Sequence, residues 1–306
     1  MLTCVSRFYD TIAQLNAGVR LLTAQIHNNN GLWHLCHTSC ALLDAGRVGD
    51  WLASIRLWLD KNPNEVVTIL LVNSDNASAG QIDAEFQAAN LTSHAYIPPS
   101  RTTALETWPT LRDMISNSTR LVAFIAPLDP ASNAVAPYLL DEFTFVWENR
   151  YDMMSPVNFS CLPDRPPAVR GNISAAITSG RLTLMNHFLY TPGPLGSELP
   201  DTIHIANTNA PSGTLGNLGD RAATCTNAFG KAPTFILVDF YDQGPAITTV
   251  DKLNGISPVG RTPALTSNTP TSAASCGKRN LFKVLVDITN TVRVGAKPSI
   301  GNRIWV

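Results

Sequence analysis

Residues 14–76 decide the fold, and they read QLNAGVRLLTAQIHNNNGLWHLCHTSCALLDAGRVGDWLASIRLWLDKNPNEVVTILLVNSDN. Two short apolar segments, Val19–Ile26 and Leu32–His37, come first and are predicted to be strands. Val48–Leu59 is predicted to be a helix, because its apolar residues recur on one helical face. Glu65–Val72 follows as a continuous apolar run, typical of a buried parallel strand. This order of elements, with a histidine at the end of a strand, is typical of a β/α barrel.

Strands and helices continue to alternate as far as residue 254, and this alternation predicts a parallel sheet. Further strands are predicted at Leu121–Ala126, Phe143–Trp147, Leu182–Phe188 and Thr234–Phe240. Further helices are predicted at Ala79–Ala89, Thr110–Ser116, Asn217–Phe229 and Ala246–Leu253. The predicted fold class is therefore α/β, a TIM-type β/α barrel over residues 1–254 with seven strand candidates.

The composition changes at Gly255. Gly255–Lys278 is rich in Ser, Thr, Pro and Asn, and such a segment cannot bury enough apolar surface to fold. Residues 255–306 are therefore predicted to be a disordered linker followed by an irregular tail.

Composition indicates a protein of the secretory route. The net charge of −1 gives no nucleic-acid footprint, and charged residues make up 15% of the chain, below the usual ~25%. Six cysteines do not form a zinc pattern. Cys36 with Cys40 and Cys161 with Cys225 are candidate disulfides, although spacing cannot fix connectivity and buried thiols are the alternative. Five glycosylation sequons begin at Asn76, Asn90, Asn117, Asn158 and Asn172.

The amino terminus does not fit this picture. MLTCVSRFYD lacks the charged start and apolar run of a signal peptide, and no stretch approaches the ~20 apolar residues of a membrane span. The expectation is a secreted or cell-surface protein whose amino terminus is incomplete, or whose start was placed too late.

The segments QLNAGVRLL, HLCHTSCALLDAG and DKNPNEVVTILLVNSDN resemble the phosphatidylinositol-specific phospholipase C X-domain family, and more closely the fungal secreted PLC-like phosphodiesterases. YLLDEFTFVWENRYD, LMNHFL and APTFILVDFY are similar to that family too. The resemblance covers roughly Gln14–Gly255. It implies a phosphoric diester hydrolase of lipid metabolism that needs no cofactor. The implied substrate is a phospholipid or a GPI-like phosphodiester. The protein itself is expected to be a monomer in peripheral contact with a membrane.

The resemblance also implies acid–base chemistry by two histidines. His37 matches the second, the general acid, although it could instead be a residue tied into a Cys36–Cys40 loop. The first belongs to a His-Asp pair on a strand before QLNAGVR, and residues 1–13 do not match it. The first strand is therefore predicted to be missing, and the chain as given to be inactive. Thr23 and Gln25 replace the family's Asp-x-Arg element, so neither the bacterial nor the calcium-dependent animal mechanism is implied in full.

Other polar residues follow predicted strands, where a barrel places its active site. Asp239 and His187 are the further catalytic candidates. The candidates for substrate binding are Gln25, Asn73, Asp75, Glu148 and Tyr241. Loop capping or a buried hydrogen bond is the alternative for each, and His27 is interpreted as a loop residue.

A second function remains open. The absent His-Asp pair, Thr23 and Gln25 also fit a catalytically inactive secreted barrel that binds a phosphorylated head group or a glycan. No P-loop, GxGxxG, GxSxG or HExxH motif occurs, so nucleotide-binding, serine-hydrolase and zinc-protease functions have no support.

Overall fold

The computed structural model describes residues 10–131, 133–193, 198–257 and 284–285. Its α-helices are α1 (Thr11–Ala17), α2 (Val48–Lys61), α3 (Ala79–Ala88), α4 (Leu111–Ser116), α5 (Glu142–Phe145), α6 (Ile173–Thr178), α7 (Ile205–Thr208), α8 (Leu218–Phe229) and α9 (Ala246–Leu253). Its strands are β1 (Leu21–Asn29), β2 (Leu32–Cys36), β3 (Asp44–Arg47), β4 (Val67–Asn73), β5 (Leu121–Ala126), β6 (Leu139–Asp141), β7 (Val146–Asn149), β8 (Pro163–Arg165), β9 (Leu182–His187), β10 (Tyr190–Pro192), β11 (Glu198–Pro200), β12 (Phe235–Val238) and β13 (Val284–Leu285). Short 3-10 turns occupy Thr92–His94, Pro156–Asn158 and Pro167–Val169.

Seven parallel strands build the main sheet. β6, β5, β4 and β1 are parallel neighbours on one side, and β12, β9 and β7 on the other. β13 lies antiparallel between β1 and β12, so all seven strands point the same way. The predicted α/β class with parallel strands is confirmed. The hydrogen-bonded path ends at β6 and β8 among the described residues, so a closed TIM-type barrel is not confirmed.

The sheet nevertheless curls around an interior. Phe124 of β5 and Phe235 of β12 lie four places apart in the strand order, which is about 19 Å in a flat sheet. Their ring centroids are 6.1 Å apart in an edge-to-face contact. The two halves of the sheet therefore share one inner apolar cluster, which Trp108 and Phe145 extend.

Strand alternation separates this inner cluster from an outer one. On β1, Leu21 belongs to the inner cluster, whereas Leu22 and Ala24 pack outward with the apolar stripe of α2. Each fully buried Leu or Phe contributes roughly 1.5–3 kcal/mol. Alternate residues of each strand can thus be assigned either to the inner face or to the face that packs against the helices.

The second predicted strand was wrong in its orientation. β2 is the antiparallel hairpin partner of β1, with Ile26 opposite Leu35 and Asn29 opposite Leu32. Asn30 and Gly31 form the two-residue turn, with φ of 54° and 87°, the positive values that an Asn-Gly hairpin turn requires. β3 then pairs with β2. This hairpin lies beyond the point where β1 leaves β4, so it rises above the parallel sheet.

The predicted strand Phe143–Trp147 was also wrong in part. Glu142–Phe145 is α5, because Asp141 caps it by accepting a hydrogen bond from the backbone N–H of Thr144. The strand begins only at Val146. The helices predicted at Thr110–Ser116 and Ala246–Leu253 are confirmed within a residue.

Both predicted disulfides are confirmed: Cys36 is bonded to Cys40, and Cys161 to Cys225 of α8. The proposed linker and tail fall outside the described residues, except for residues 255–257 and β13. Residues 1–9 lie outside them as well. No helix in the described part of the chain is long and apolar enough to cross a membrane.

Candidate functional site

The carboxyl ends of the seven parallel strands form one edge of the sheet, which we call the mouth. On β1 the inner face carries Leu21, Thr23, Gln25 and His27 in succession, since alternate residues share a face. The row thus changes from apolar to polar toward the mouth. The same change occurs on three neighbouring strands, where Glu148, Asn186 and Asp239 follow the inner residues Val146, Leu184 and Leu237.

His37 lies at the mouth in a loop that is fixed at both ends. The Cys36–Cys40 disulfide closes this loop, and the backbone N–H of His37 donates to the Leu43 carbonyl at 3.2 Å. The His37 Nδ1 lies 3.1 Å from the Thr38 hydroxyl. Its side chain is exposed, as a group that meets a substrate must be. A catalytic role for His37 stays a prediction.

Gln25 connects this loop to the sheet. Its Oε1 accepts a hydrogen bond of 3.1 Å from the backbone N–H of Thr38. Thr38 has a positive φ of 64°, an uncommon conformation for a β-branched residue. Strain of this kind often accumulates at functional sites. This hydrogen bond therefore joins the loop of His37 to the strand of Gln25, two residues that were predicted separately as site residues.

His27 and Asp75 form a pair that sequence reasoning missed. The His27 Nδ1 lies 3.1 Å from Asp75 Oδ1, and Asp75 Oδ2 accepts a 2.8 Å hydrogen bond from the backbone N–H of Asn28. The His27 side chain is only 12% exposed. β1 continues to Asn29, so His27 is a strand residue two positions beyond Gln25. The Asn-Gly turn was the signal that could have shown this.

A second histidine–aspartate pair stands across the hairpin. His34 is the direct cross-strand partner of His27, and its Nδ1 lies 2.9 Å from both Asp44 oxygens. Burial opposes ionisation of Asp44, but hydrogen bonds from His34 and the Gly46 N–H outweigh it and lower the pKa of that carboxyl. This pair ties β2 to β3.

Glu148 is the centre of a buried polar group on the opposite strands. It is 2% exposed and forms an ion pair with Arg165 of β8. Asn186 Nδ2 donates to its Oε2 at 2.8 Å. Burial raises the pKa of Glu148 despite Arg165 and Asn186, and burial together with repulsion from Glu148 raises the pKa of Glu142 well above its usual value. The Arg165 guanidinium lies 4.8 Å from the ring centroid of Tyr151.

Asp239 and Tyr241 follow β12 at the same mouth. Both are buried, at 1% and 3% exposure. Phe240 between them has a positive φ of 47°, so the strand alternation breaks and Tyr241 packs in the outer cluster. The Asn209 amide holds this turn by donating to the backbone carbonyls of Asp239 and Phe240.

Two predicted site residues point away from the inner face. Asn73 stabilises the loop after β4, where its amide donates to the Ala77 and Pro127 carbonyls. His187 is fully buried, stacked on Phe159 at 4.3 Å, and its Nε2 lies 3.0 Å from the Thr208 carbonyl. Burial lowers the pKa of His187 to about 4. Neither geometry favours contact with a substrate.

The donor set at the mouth does not suit calcium. Thr23 and Gln25 offer a hydroxyl and an amide, whereas calcium prefers several carboxylate oxygens. Within the described residues, no cluster of three or more His, Cys, Asp or Glu side chains is arranged to hold a metal ion.

One family model and several known proteins are similar to this chain over most of its length. The family model PI-PLC X 1 matches residues 3–254. A PI-PLC X domain-containing protein 1 of Arthroderma benhamiae is 35% identical over 79% of this chain and 76% of its own length. An uncharacterized secreted protein of the same fungus is 33% identical over 90% of this chain.

A PI-PLC X domain-containing protein of Arabidopsis thaliana is 27% identical over 80% of this chain. The chain spans 63% of the length of the secreted fungal protein and 55% of the plant protein. No solved structure matches it. Because the family model covers most of the residues, and a fungal relative is similar over most of both chains, this chain belongs to the PI-PLC X family.

Proposed function

We propose that this protein is a phosphoric diester hydrolase of the phosphatidylinositol phospholipase C-like type, with His37 as its general acid. The observation that carries the proposal is the placement of His37. Its loop is closed by a disulfide and joined to the inner face of β1 through Gln25. An exposed imidazole held rigidly at the carboxyl ends of parallel strands is suited to proton transfer at neutral pH.

The proposed reaction is attack on phosphorus by a hydroxyl of the substrate itself. His37 protonates the oxygen of the departing alcohol, a contribution of typically 10²–10⁴-fold in rate. Arg165 lies at the mouth beside Glu148 and would meet the phosphate charge together with the Gln25 amide. The proposed substrate is a phospholipid or a GPI-like phosphodiester approached from the membrane surface.

The test is an assay on phosphatidylinositol vesicles and on a soluble inositol phosphodiester. The absent His-Asp segment predicts an inactive chain, but the His27–Asp75 pair at the mouth offers a replacement for it. We therefore expect turnover by the wild-type chain and a loss of roughly 10²–10⁴-fold in His37→Ala on the vesicles. His94→Ala is the matched control, because it removes a histidine paired with Asp60 in the last turn of α2, at the other end of the sheet. A wild-type chain without turnover on either substrate would reject the proposal.

A binding protein without turnover is the second candidate. Thr23 and Gln25 favour it, because neither supplies the charge that the family's Asp-x-Arg element has at these positions. Calorimetric titration with glycerophosphoinositol separates the two functions. Binding that is unchanged in His37→Ala, without hydrolysis, supports the binding protein.

We also propose that the protein is secreted or held at the cell surface as a TIM-type barrel with N-linked glycans. All five sequon asparagines are exposed, and two disulfides are present in the described residues. Disulfides persist in oxidising compartments. An experimental structure of the secreted protein would test the closure of the barrel.

A further inference from the structure

We infer that His27, oriented by Asp75, is the general base that removes the proton from the attacking hydroxyl. The inference rests on the proposed function and names a second acid–base group for it. A single imidazole cannot both accept the nucleophile's proton and protonate the leaving group on the far side of phosphorus. The site therefore needs a partner for His37, and the described residues offer His27.

The contacts of Asp75 select the tautomer of the neutral His27 ring. Asp75 is an acceptor toward the backbone N–H of Asn28 at 2.8 Å, and it faces His27 Nδ1 at 3.1 Å. A carboxylate beside Nδ1 selects the tautomer with the proton on Nδ1. The lone pair then lies on Nε2, where a base requires it.

The environment of Nε2 supports the same role. This atom is buried and makes no hydrogen bond with any residue that the structure describes. A buried polar atom left without a partner costs free energy and calls for an explanation. A hydroxyl of a bound substrate would supply the missing hydrogen bond.

The position of His27 complements that of His37. His27 follows Gln25 on the inner face of β1 by two residues, a rise of roughly 7 Å. Gln25 in turn holds Thr38, the neighbour of His37. Both histidines are thus connected to the carboxyl end of β1, His27 as a residue of the strand and His37 through the Gln25–Thr38 hydrogen bond. In-line displacement at phosphorus needs its acid and base on opposite sides of the reacting centre.

The step balances as follows. The hydroxyl oxygen forms a bond to phosphorus while its proton passes to His27 Nε2. The bond between phosphorus and the departing alcohol oxygen breaks, and that oxygen takes the proton of the His37 imidazolium. The products are a cyclic phosphodiester and a free alcohol, and one histidine has gained the proton that the other has lost. Water then opens the cyclic ester with the two roles exchanged.

Other histidines fit this role less well. His187 points away from the inner face and is fully buried. His34 lies on β2, outside the path of parallel strands, and its Asp44 contact ties two hairpin strands together. His204 pairs with Asp201 three residues earlier, on a side chain that is 60% exposed.

The experiment compares two leaving groups in four variants: His27→Ala, Asp75→Asn, His37→Ala and the control His94→Ala. Phosphatidylinositol releases an alkoxide that must be protonated, whereas a 4-nitrophenyl inositol phosphodiester releases a stable phenolate. We expect His27→Ala to lose roughly 10²–10⁴-fold on both substrates. His37→Ala should lose that much on phosphatidylinositol and less than about tenfold on the nitrophenyl ester.

Asp75 acts through His27 and is a positioning residue. Asp75→Asn should lower kcat by at least tenfold with KM changed less than about twofold, because it disturbs the ring tautomer and leaves substrate contacts in place. Added imidazole should restore part of the activity of His27→Ala and none of that of Asp75→Asn. A variant that had merely lost its fold would not respond to imidazole.

The outcomes separate the two proposals. A wild-type chain that cleaves neither substrate overturns the proposed function, and this inference with it. An active wild-type chain whose His27→Ala variant stays within about threefold on both substrates overturns this inference alone. If His27→Ala fails to fold, His27→Asn retains a donor toward Asp75 and gives the same comparison.

Discussion

The Oε1 atom of Gln25 accepts a hydrogen bond from the backbone N–H of Thr38, at 3.1 Å, and so joins a strand of the parallel sheet to the loop of His37. The loop also carries the Cys36–Cys40 disulfide, but that bond closes the loop only upon itself. Besides the pairing of β1 with β2, Gln25 is a direct side-chain contact between this loop and the inner face of β1.

Gln25→Leu should therefore damage catalysis more than stability. Loss of one partly exposed hydrogen bond costs about 1 kcal/mol, whereas a misplacement of about 1 Å at a catalytic group can cost roughly 10²-fold in rate. Kinetics on phosphatidylinositol and urea unfolding provide the two measurements. Gln25→Glu keeps the acceptor oxygen and should retain more activity than Gln25→Leu. Equal activity of the two variants would contradict this role.

Loss of one disulfide should mainly lower stability, and loss of the other should mainly lower catalysis. Loop closure predicts that Cys161–Cys225, which spans 64 residues, contributes about 4 kcal/mol, and that Cys36–Cys40, which spans 4, contributes about 2 kcal/mol. We expect the double serine variant at 161 and 225 to show the larger fall in Tm. The double serine variant at 36 and 40 should show the larger fall in kcat, because its loop holds His37. The reverse order would refute the assignment.

The longer parallel strands β4, β5 and β9 were predictable because they are buried on both faces. Leu121–Ala126 is apolar at every position and was identified to the residue. The hairpin was not, because β2 has an apolar pattern like that of a barrel strand and only Asn30-Gly31 distinguishes it. Short strands such as β6 and β8 carry three residues each, too few for any periodicity.

Some residues of the candidate site were predicted from the sequence, and others were not. His37 and Gln25 became candidates through the family resemblance, and Asp75 and Glu148 because they follow apolar runs. His27 was taken for a loop residue, since the strand continues into Asn28 and Asn29, which are poor strand formers. The partners of Asp75 and Glu148 lie 48 and 17 residues away in the chain, and no local pattern can join residues at such separations.

Glycosylation should occur at sequons near both ends of the parallel strands, since Asn76 follows β4 and Asn117 precedes β5. The asparagine of each sequon is exposed, at positions 76, 90, 117, 158 and 172. Expression through a eukaryotic secretory route should give a mass above that of the chain, and endoglycosidase should remove the difference. Single Asn→Gln variants assign the occupied sites. A secreted product with the mass of the bare chain would contradict the prediction.

His187 should make the protein sensitive to acid. Burial lowers its pKa in the fold from 6.5 to about 4, so the unfolded chain takes up a proton that the folded protein does not. The free energy of unfolding therefore falls as the pH drops from 6.5 toward 4, by about 3 kcal/mol in total from this group. His187→Gln keeps a donor toward the Thr208 carbonyl but cannot titrate. Urea unfolding at pH 7 and pH 4.5 should show a smaller loss in this variant, and an equal loss would contradict the argument.

Arg165 should stabilise the fold by compensating Glu148, and this stabilisation should also weaken as the pH falls. Arg165→Met leaves a carboxyl that is 2% exposed without its cation. Removing one partner of a buried ion pair costs ~3–5 kcal/mol. We expect about 2–3 kcal/mol at pH 7, since the Arg165 side chain is 39% exposed and solvent screens part of the interaction.

The sign of the pH dependence follows from the raised pKa of Glu148. Without Arg165 the Glu148 carboxyl favours its protonated form still more. Ionising this carboxyl in the folded protein lowers the free energy of unfolding only at a pH above the pKa that Glu148 has in the unfolded chain. The deficit of Arg165→Met should therefore grow as the pH rises toward 8 and shrink as the pH falls toward about 4.5. Glu148→Gln removes the charge and keeps an oxygen for the Asn186 amide. In that background Arg165→Met should cost at least about 1 kcal/mol less, as expected for directly coupled residues. Additive costs at every pH would show that Arg165 acts through its packing on Tyr151 and not through Glu148.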